Sequence, residues 1–181
     1  MRIVNGAALV HSLDPKKTRT TIKMFQDYAQ HVFLPYIMQL LRDVIQVDLV
    51  WDVYRKDSFK AQARQSSATA GSQIKIANST SIPMNWANFL RVDSNKDGLF
   101  HLLATAVQEH QFPIGKTVIC TYGENAISSP ILDPSELHYT HEEADTMPWH
   151  AIERGLSKVI IHVTDTDVVI LAVAVSSYYS G

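Results

Sequence analysis

"THEEADTMPWHAIERGLSKVIIHVTDTDVVIL", Thr140 to Leu171, decides how this chain is read. It holds a helix-like segment, then a strand-like run rich in valine and isoleucine, with acids on both. Glu142, Glu143 and Asp145 open the first; Asp165 and Asp167 close the second. Apolar β-branched runs are normally buried, and carboxylates are costly to bury. Acids aimed at the edge of a core therefore need a reason.

Part of that reason is local. Thr140 and Glu143 form a T-x-x-E capping box, and acids in a first turn suit the helix dipole. Ala144, Met147, Pro148, Ala151 and Ile152 make the apolar face, with a kink expected at Pro148. Capping does not explain Asp165 and Asp167. A strand that ends in Asp-x-Asp presents carboxylates at the carboxyl edge of its sheet. In open α/β sheets that edge is where ligands bind.

Working outward, "RIVNG" reads as a first strand ending at Asn5-Gly6. "TRTTIKMFQDYAQHVFLPYIMQLLRDV", Thr18 to Val44, reads as one long helix kinked at Pro35. "QVDLVWD" is a second strand ending at Asp52, followed by the basic run "YRKDSFKAQAR". Residues 65–82 are small and polar, and are expected to form a mobile loop. Two helices, "MNWANFLR" and "NKDGLFHLLATAVQEH", precede a third strand, "KTVICTY". A turn-rich segment with Pro130 and Pro134 leads to the acidic helix and a fourth strand, "SKVIIHVT". "DVVILAVAV" fits a helix or a buried strand equally. Alternating strands and helices predict an α/β fold: a Rossmann-like, mostly parallel sheet with flanking helices, in a single domain over residues 1–181.

In such a sheet the carboxyl ends lie on one side. Asp52, Glu143, Asp145, Asp165 and Asp167 are therefore expected to converge. Five carboxylates do not stay ionised side by side without cations. Hard divalent ions with oxygen ligands answer this, so one or two Mg²⁺ or Mn²⁺ ions are expected. Two ions about 3.5–4 Å apart clamp the attacking and leaving oxygens of a phosphodiester. On a regular helix residues 143 and 145 point about 200° apart. Glu143 thus serves the site only from an irregular cap; otherwise Glu142, three residues before Asp145, takes its place.

The composition permits this reading. The chain has 181 residues, 46% hydrophobic and 19% charged, with a formal net charge of -2. That excludes a basic wrapper of nucleic acid and leaves room for a local basic patch. Arg55, Lys56, Lys60 and Arg64 supply one, either as a solvated helix face or as phosphate contacts. The single cysteine, Cys120, excludes internal disulfides and cysteine-rich zinc sites, and reads as a buried thiol. "MRIVNGAALVHSL" is no signal peptide. The apolar run Val159–Val175 carries two central acids, which argues against a membrane span. The expected setting is intracellular, in the nucleus or cytoplasm. "DSNKDG", Asp93 to Gly98, has the first half of a calcium loop, but Ala104 stands where its closing Glu belongs; a helix start is the better account. Trp51, Trp86 and Trp149 read as packing residues.

"HEEAD", then a helix, a strand and "TDTD", resembles the E-A-E/D … D-x-D pattern of PIN-like and flap-endonuclease-like nucleases. "LVWDVYRKDSFKAQAR" is similar to that superfamily's second strand, with its metal-binding Asp and following basic stretch. "NGAALV", "WDVYRKDS", "NFLRVDSNK", "HEEADT" and "DTDVVILAV" together resemble uncharacterised multi-copy PIN-like proteins of animals, associated with mobile elements. The resemblance implies that Asp52, Glu143, Asp145, Asp165 and Asp167 are metal ligands and that the partner is nucleic acid. Asn5 stands where the superfamily has Asp, keeping one oxygen ligand and losing its charge. The chain reaches Gly181 without the further strand and final acid of flap-type relatives, which implies a domain cut short. The implied activity is phosphodiester hydrolysis by metal-activated water. The rival expectation is a catalytically inactive nucleic-acid-binding module of the same fold. A phosphatase-like protein with Asp165 as nucleophile ranks third.

Overall fold

In a computed structural model of the chain, the described residues are 1–18, 20–51, 72–122, 125–132 and 159–162. They form a mixed α/β fold. The strands are β1 (Arg2–Asn5), β2 (Gln46–Val50), β3 (Thr117–Tyr122), β4 (Asn125–Ser129) and β5 (Ile160–His162), in the order β4-β3-β2-β1-β5. β1, β2, β3 and β5 are parallel; β4 returns antiparallel to β3. The chain steps outward from β1 to β3, then comes back to β5 on the other side of β1. The strand order thus reverses between β1 and β5, the kind of point at which α/β sheets bind ligands.

Side chains alternate across the strands. Val4, Val47, Leu49, Val118 and Cys120 join the main core, which the helices share. Ile3 and Val50 face the other way and pack with Met1 and Val159. On that face Asp48 is buried and accepts a hydrogen bond from Gln46 Nε2 at 2.7 Å. The Cys120 thiol is fully buried, and desolvation pushes its pKa far up, so the default reading of a structural thiol is the one seen.

The expected long helix over Thr18–Val44 begins later and is not uniform. It comprises α2 (Phe25–Tyr28), a π turn (Ala29–Phe33), α3 (Leu34–Leu40) and a 3₁₀ turn (Leu41–Asp43). Asp27 sets the start: its Oδ2 accepts from the Met24 N–H at 2.9 Å and the Lys23 N–H at 3.0 Å. Those two backbone donors hold the Asp27 carboxyl below its ordinary pKa. Upstream, Thr18, Thr20, Thr21 and Ile22 are β-branched and favour helix poorly. Pro35 lies in the first turn of α3, where its missing N–H is tolerated, and the π turn absorbs the crowding behind its ring. The run ends where Lys116 Nζ donates to the carbonyls of Leu41 (2.8 Å) and Val44 (2.7 Å).

Of the loop expected over residues 65–82, residues 72–82 are described, and they are tied down. Ile82 N–H donates to the Lys23 carbonyl, Phe25 N–H to Thr80, and Gln26 N–H to Asn78. The completely buried Asn95 accepts from Ile74 N–H at 2.8 Å and donates to the carbonyls of Ser72 and Phe89. Ile74, Ile76 and Ile82 pack on the core. A Cβ on Gly98 would stand 3.2 Å from Ile76 Cδ1, so the glycine lets that isoleucine close on its helix. Three isoleucines and one buried amide organise a stretch whose composition suggests none of this.

α4 (Trp86–Phe89) is capped by Asn85, whose side chain accepts from Asn88 N–H. α5 (Asp93–Glu109) begins with "DSNKDG" as regular helix, which no calcium loop adopts. Trp86 stacks on Phe89 at 5.0 Å and donates Nε1–H to the Val10 carbonyl at 2.9 Å, so it is a packing residue as expected. β4 lies in the segment read as turns. Its sequence, "NAISS", lacks a hydrophobic alternation, and its hold comes from the β3 ladder and from Ser129 Oγ donating to the His110 carbonyl. Among the described residues no helix is long and apolar enough to cross a membrane.

At the other end of the ladder Arg2 bridges two elements. Its Nη2 donates to Asp43 Oδ2 at 3.2 Å, and its Nη1 lies 3.4 Å from His162 Nε2 on β5. Burial, then the Arg2 charge, lower the His162 pKa below 6.5. The folded state therefore prefers neutral His162. Its contribution to stability is present above about pH 6.5 and is lost as pH falls through the lower folded value. His162→Gln should flatten the loss of stability between about pH 7 and pH 5, leaving the share of His11, which is lowered in the same sense. Urea unfolding at the two pH values checks this; an unchanged pH slope would contradict it.

Candidate functional site

The described part of the candidate site is the carboxyl end of β1 and its two neighbours. Asn5 pairs with Val50 of β2, and Val4 with His162 of β5. All three strands end on the same side of the sheet. Directly after Asn5 the chain turns into α1 (Gly6–Ser12), and Asn5 caps it, its Oδ1 accepting from Ala8 N–H at 2.9 Å. An amide oxygen has two lone pairs, so the cap leaves one free for a further ligand.

The turn works because position 6 is glycine. A Cβ there would stand 2.2 Å from Trp51 Cε3 and 2.6 Å from Cδ2. Trp51 follows β2 immediately and is 4% exposed. Its ring stacks on Phe100 at 4.4 Å and lies 6.1 Å from Phe33, while its backbone N–H donates to Thr121 Oγ1 at 2.9 Å. The start of α1 and the exit of β2 are thereby locked together one residue before Asp52. Sequence reasoning missed this contact. The available signal was a glycine directly after a strand end, with a tryptophan at the end of the next strand.

Beside α1, Lys96 of α5 pairs with Asp93 at 2.8 Å. His11, at the end of α1, has its pKa lowered by burial first and by Lys96 second.

Of the expected metal ligands and phosphate contacts, Asn5 alone is described. Asp52, Glu142, Glu143, Asp145, Asp165 and Asp167 lie outside the described residues, as do Arg55, Lys56, Lys60 and Arg64. So do Trp149, Pro148 and residues 65–71 of the expected loop. Among the described residues no group of three or more histidines, cysteines or acids gathers to hold a metal ion.

Asn5 tests the site from both sides. Asn5→Ala should cost about 1 kcal/mol by removing the cap. Asn5→Asp should be nearly neutral in metal-free protein, because Asp caps as well as Asn. Chemical denaturation of both variants checks the pair; an Asn5→Asp loss as large as that of Asn5→Ala would show that the amide NH₂ carries the contact. No family model, curated protein or solved structure matches the chain.

Proposed function

We propose that this chain is a PIN-like, Mg²⁺- or Mn²⁺-dependent nuclease that hydrolyses phosphodiesters. The observation that supports it most is the parallel neighbourhood β5-β1-β2, with the strand order reversing beside β1. In sequence, Asp52 comes two residues after the end of β2, and Asp165 three after the end of β5. Strand ends so arranged suit a site made from acids far apart in the chain. Asn5, between them, fits the chemistry of a hard cation as a neutral oxygen donor.

In this reading Asp52, Asp145, Asp165 and Asp167, with Glu142 or Glu143, hold the ion, and Asn5 contributes its amide oxygen. The bound ion supplies charge neutralisation and a more acidic water. Arg55, Lys56, Lys60 and Arg64 hold the phosphates of a DNA or RNA strand and fix its register. No covalent bond to the enzyme is required. One observation favours a second reading, a nucleic-acid-binding module without turnover. Asn5 is neutral and already occupied as a helix cap, so the centre has one negative ligand fewer than the pattern it resembles.

The test is cleavage of labelled single-stranded and branched DNA and RNA with Mn²⁺ or Mg²⁺, against a chelator control. Cleavage by the wild type or by Asn5→Asp, lost on chelation and in Asp165→Asn, is the expected result. Failure of both proteins to cut any of these substrates would remove the nuclease reading and leave the binding module.

A further inference from the structure

The side of the molecule beyond the strand ends carries a groove whose lining, among the described residues, does not include Asn5. Its position follows from the helical run between β1 and β2. Phe33 lies 6.1 Å from Trp51, just past the carboxyl end of β2. Leu41 and Val44 are bound by Lys116, beside the start of β3. The run therefore travels from the carboxyl side to the amino side. At about 1.5 Å per residue, Phe25 stands about 12 Å farther out than Phe33. The chain before Phe25 thus lies beyond the carboxyl edge.

There Lys16, Thr20, Thr21, Ile22, Ile82 and Met84 help line a groove of about 330 Å³. The Lys23–Ile82 hydrogen bond and the Met24–Ser81 bridge hold its two sides together. Lys16, Lys17 and Lys23 are exposed and, among the described residues, make no ion pair. The acids of this stretch are turned against the backbone: Asp14 accepts from Lys16 N–H, and Asp27 from Lys23 and Met24 N–H. Cations thus face solvent beside an apolar surface that includes Met84, 83% exposed. Phosphates recognised by lysine, with an uncharged sugar and base on apolar side chains, match that alternation. The volume suits one nucleotide-sized unit.

We propose that this groove binds the backbone of a single-stranded nucleic acid. Lys16 and Lys23 contact phosphates, and Ile22, Ile82 and Met84 carry the adjoining nucleoside. The inference rests on the nucleic-acid reading above and extends it to a surface remote in sequence from Asp52 and the basic run after it.

The test is fluorescence anisotropy of a labelled single-stranded oligonucleotide with a chelator present, so that binding is read apart from any metal. In Lys16→Glu/Lys23→Glu, with an unchanged melting temperature, affinity should fall about ten-fold or more. Each lost phosphate contact should flatten the slope of log K against log salt by about 0.7. Met84→Ala should weaken binding without changing that slope. Because the chelator removes the metal, the binding result stands whether or not the chain cleaves its substrate. An oligonucleotide that fails to bind the wild type, or binds the double lysine variant equally well, overturns the proposal. So does polyglutamate if it competes as well as the oligonucleotide at equal charge.

Discussion

Gly6→Ala should destabilise the protein by about 3 kcal/mol, near the upper end of overpacking costs. For a chain of this size that lowers the melting temperature by about 6–12 °C. The new Cβ would enter the Trp51 ring, at 2.2 Å from Cε3 and 2.5 Å from Cζ3. Real contacts of that length do not persist, so something must move. The ring has little room to retreat, being stacked on Phe100, flanked by Phe33 and almost wholly buried. The main chain is held as well, by Asn5 on one side and Thr121 on the other. Trp51→Leu in the Gly6→Ala background should recover part of the loss, with a coupling of about 1 kcal/mol or more, because the two positions share one space. Wild type and Gly6→Ala melting within a degree of each other would show that the contact is not as tight as described. The substitution should also weaken the response to divalent ions, since any shift of Trp51 moves the chain immediately before Asp52.

Asp165→Asn should abolish that response. With Mn²⁺ at a hundred times its dissociation constant, a single site stabilises the folded state by about 2.7 kcal/mol. The wild type should therefore melt about 5–10 °C higher with metal than without. Asp165→Asn should show no such rise, and its metal-free form should be more stable than the wild type because fewer like charges crowd together. Asn5→Asp should act in the opposite sense, lowering metal-free stability slightly and strengthening the metal-induced rise. Differential scanning calorimetry of the three proteins, with and without Mn²⁺, reads all of this. Equal rises in all three would leave the acids as caps and surface charges.

The parts of the fold that were legible in the sequence are those where burial writes a pattern. "RIVN", "QVDLV", "TVICTY" and "IIH" are short apolar runs with β-branched residues, and all four form parallel strands of one sheet. Asn5 falls at the end of its strand, as the first glycine after it suggests. What escaped depends on polar groups that act at a distance in sequence. Asp27 starts a helix by reaching back to Lys23 and Met24, so apolar spacing alone extends that helix too far. Asn95 anchors residues 72–74 from two helices away, which no local composition reveals. β4 is held by its β3 partner and by the Ser129 hydroxyl on the His110 carbonyl, so no apolar alternation marks it. For the candidate site, the sequence shows which acids follow strands, and the sheet adds that β1, β2 and β5 are parallel neighbours. The Lys16–Met84 groove had no sequence signal, because backbone hydrogen bonds between residues 23–26 and 78–82 join its two sides and leave no mark in the side-chain pattern.

The most direct test of the central claim is a Mn²⁺ titration of Asp52→Asn, followed by the electron paramagnetic resonance signal of the free ion. Asp52 and Asp165 follow different strands and are far apart in the chain, so they lose the same ion only if they share it. The account predicts that Asp52→Asn removes tight Mn²⁺ binding as completely as Asp165→Asn, and that the double variant loses nothing more. Wild-type affinity retained in Asp52→Asn would contradict it.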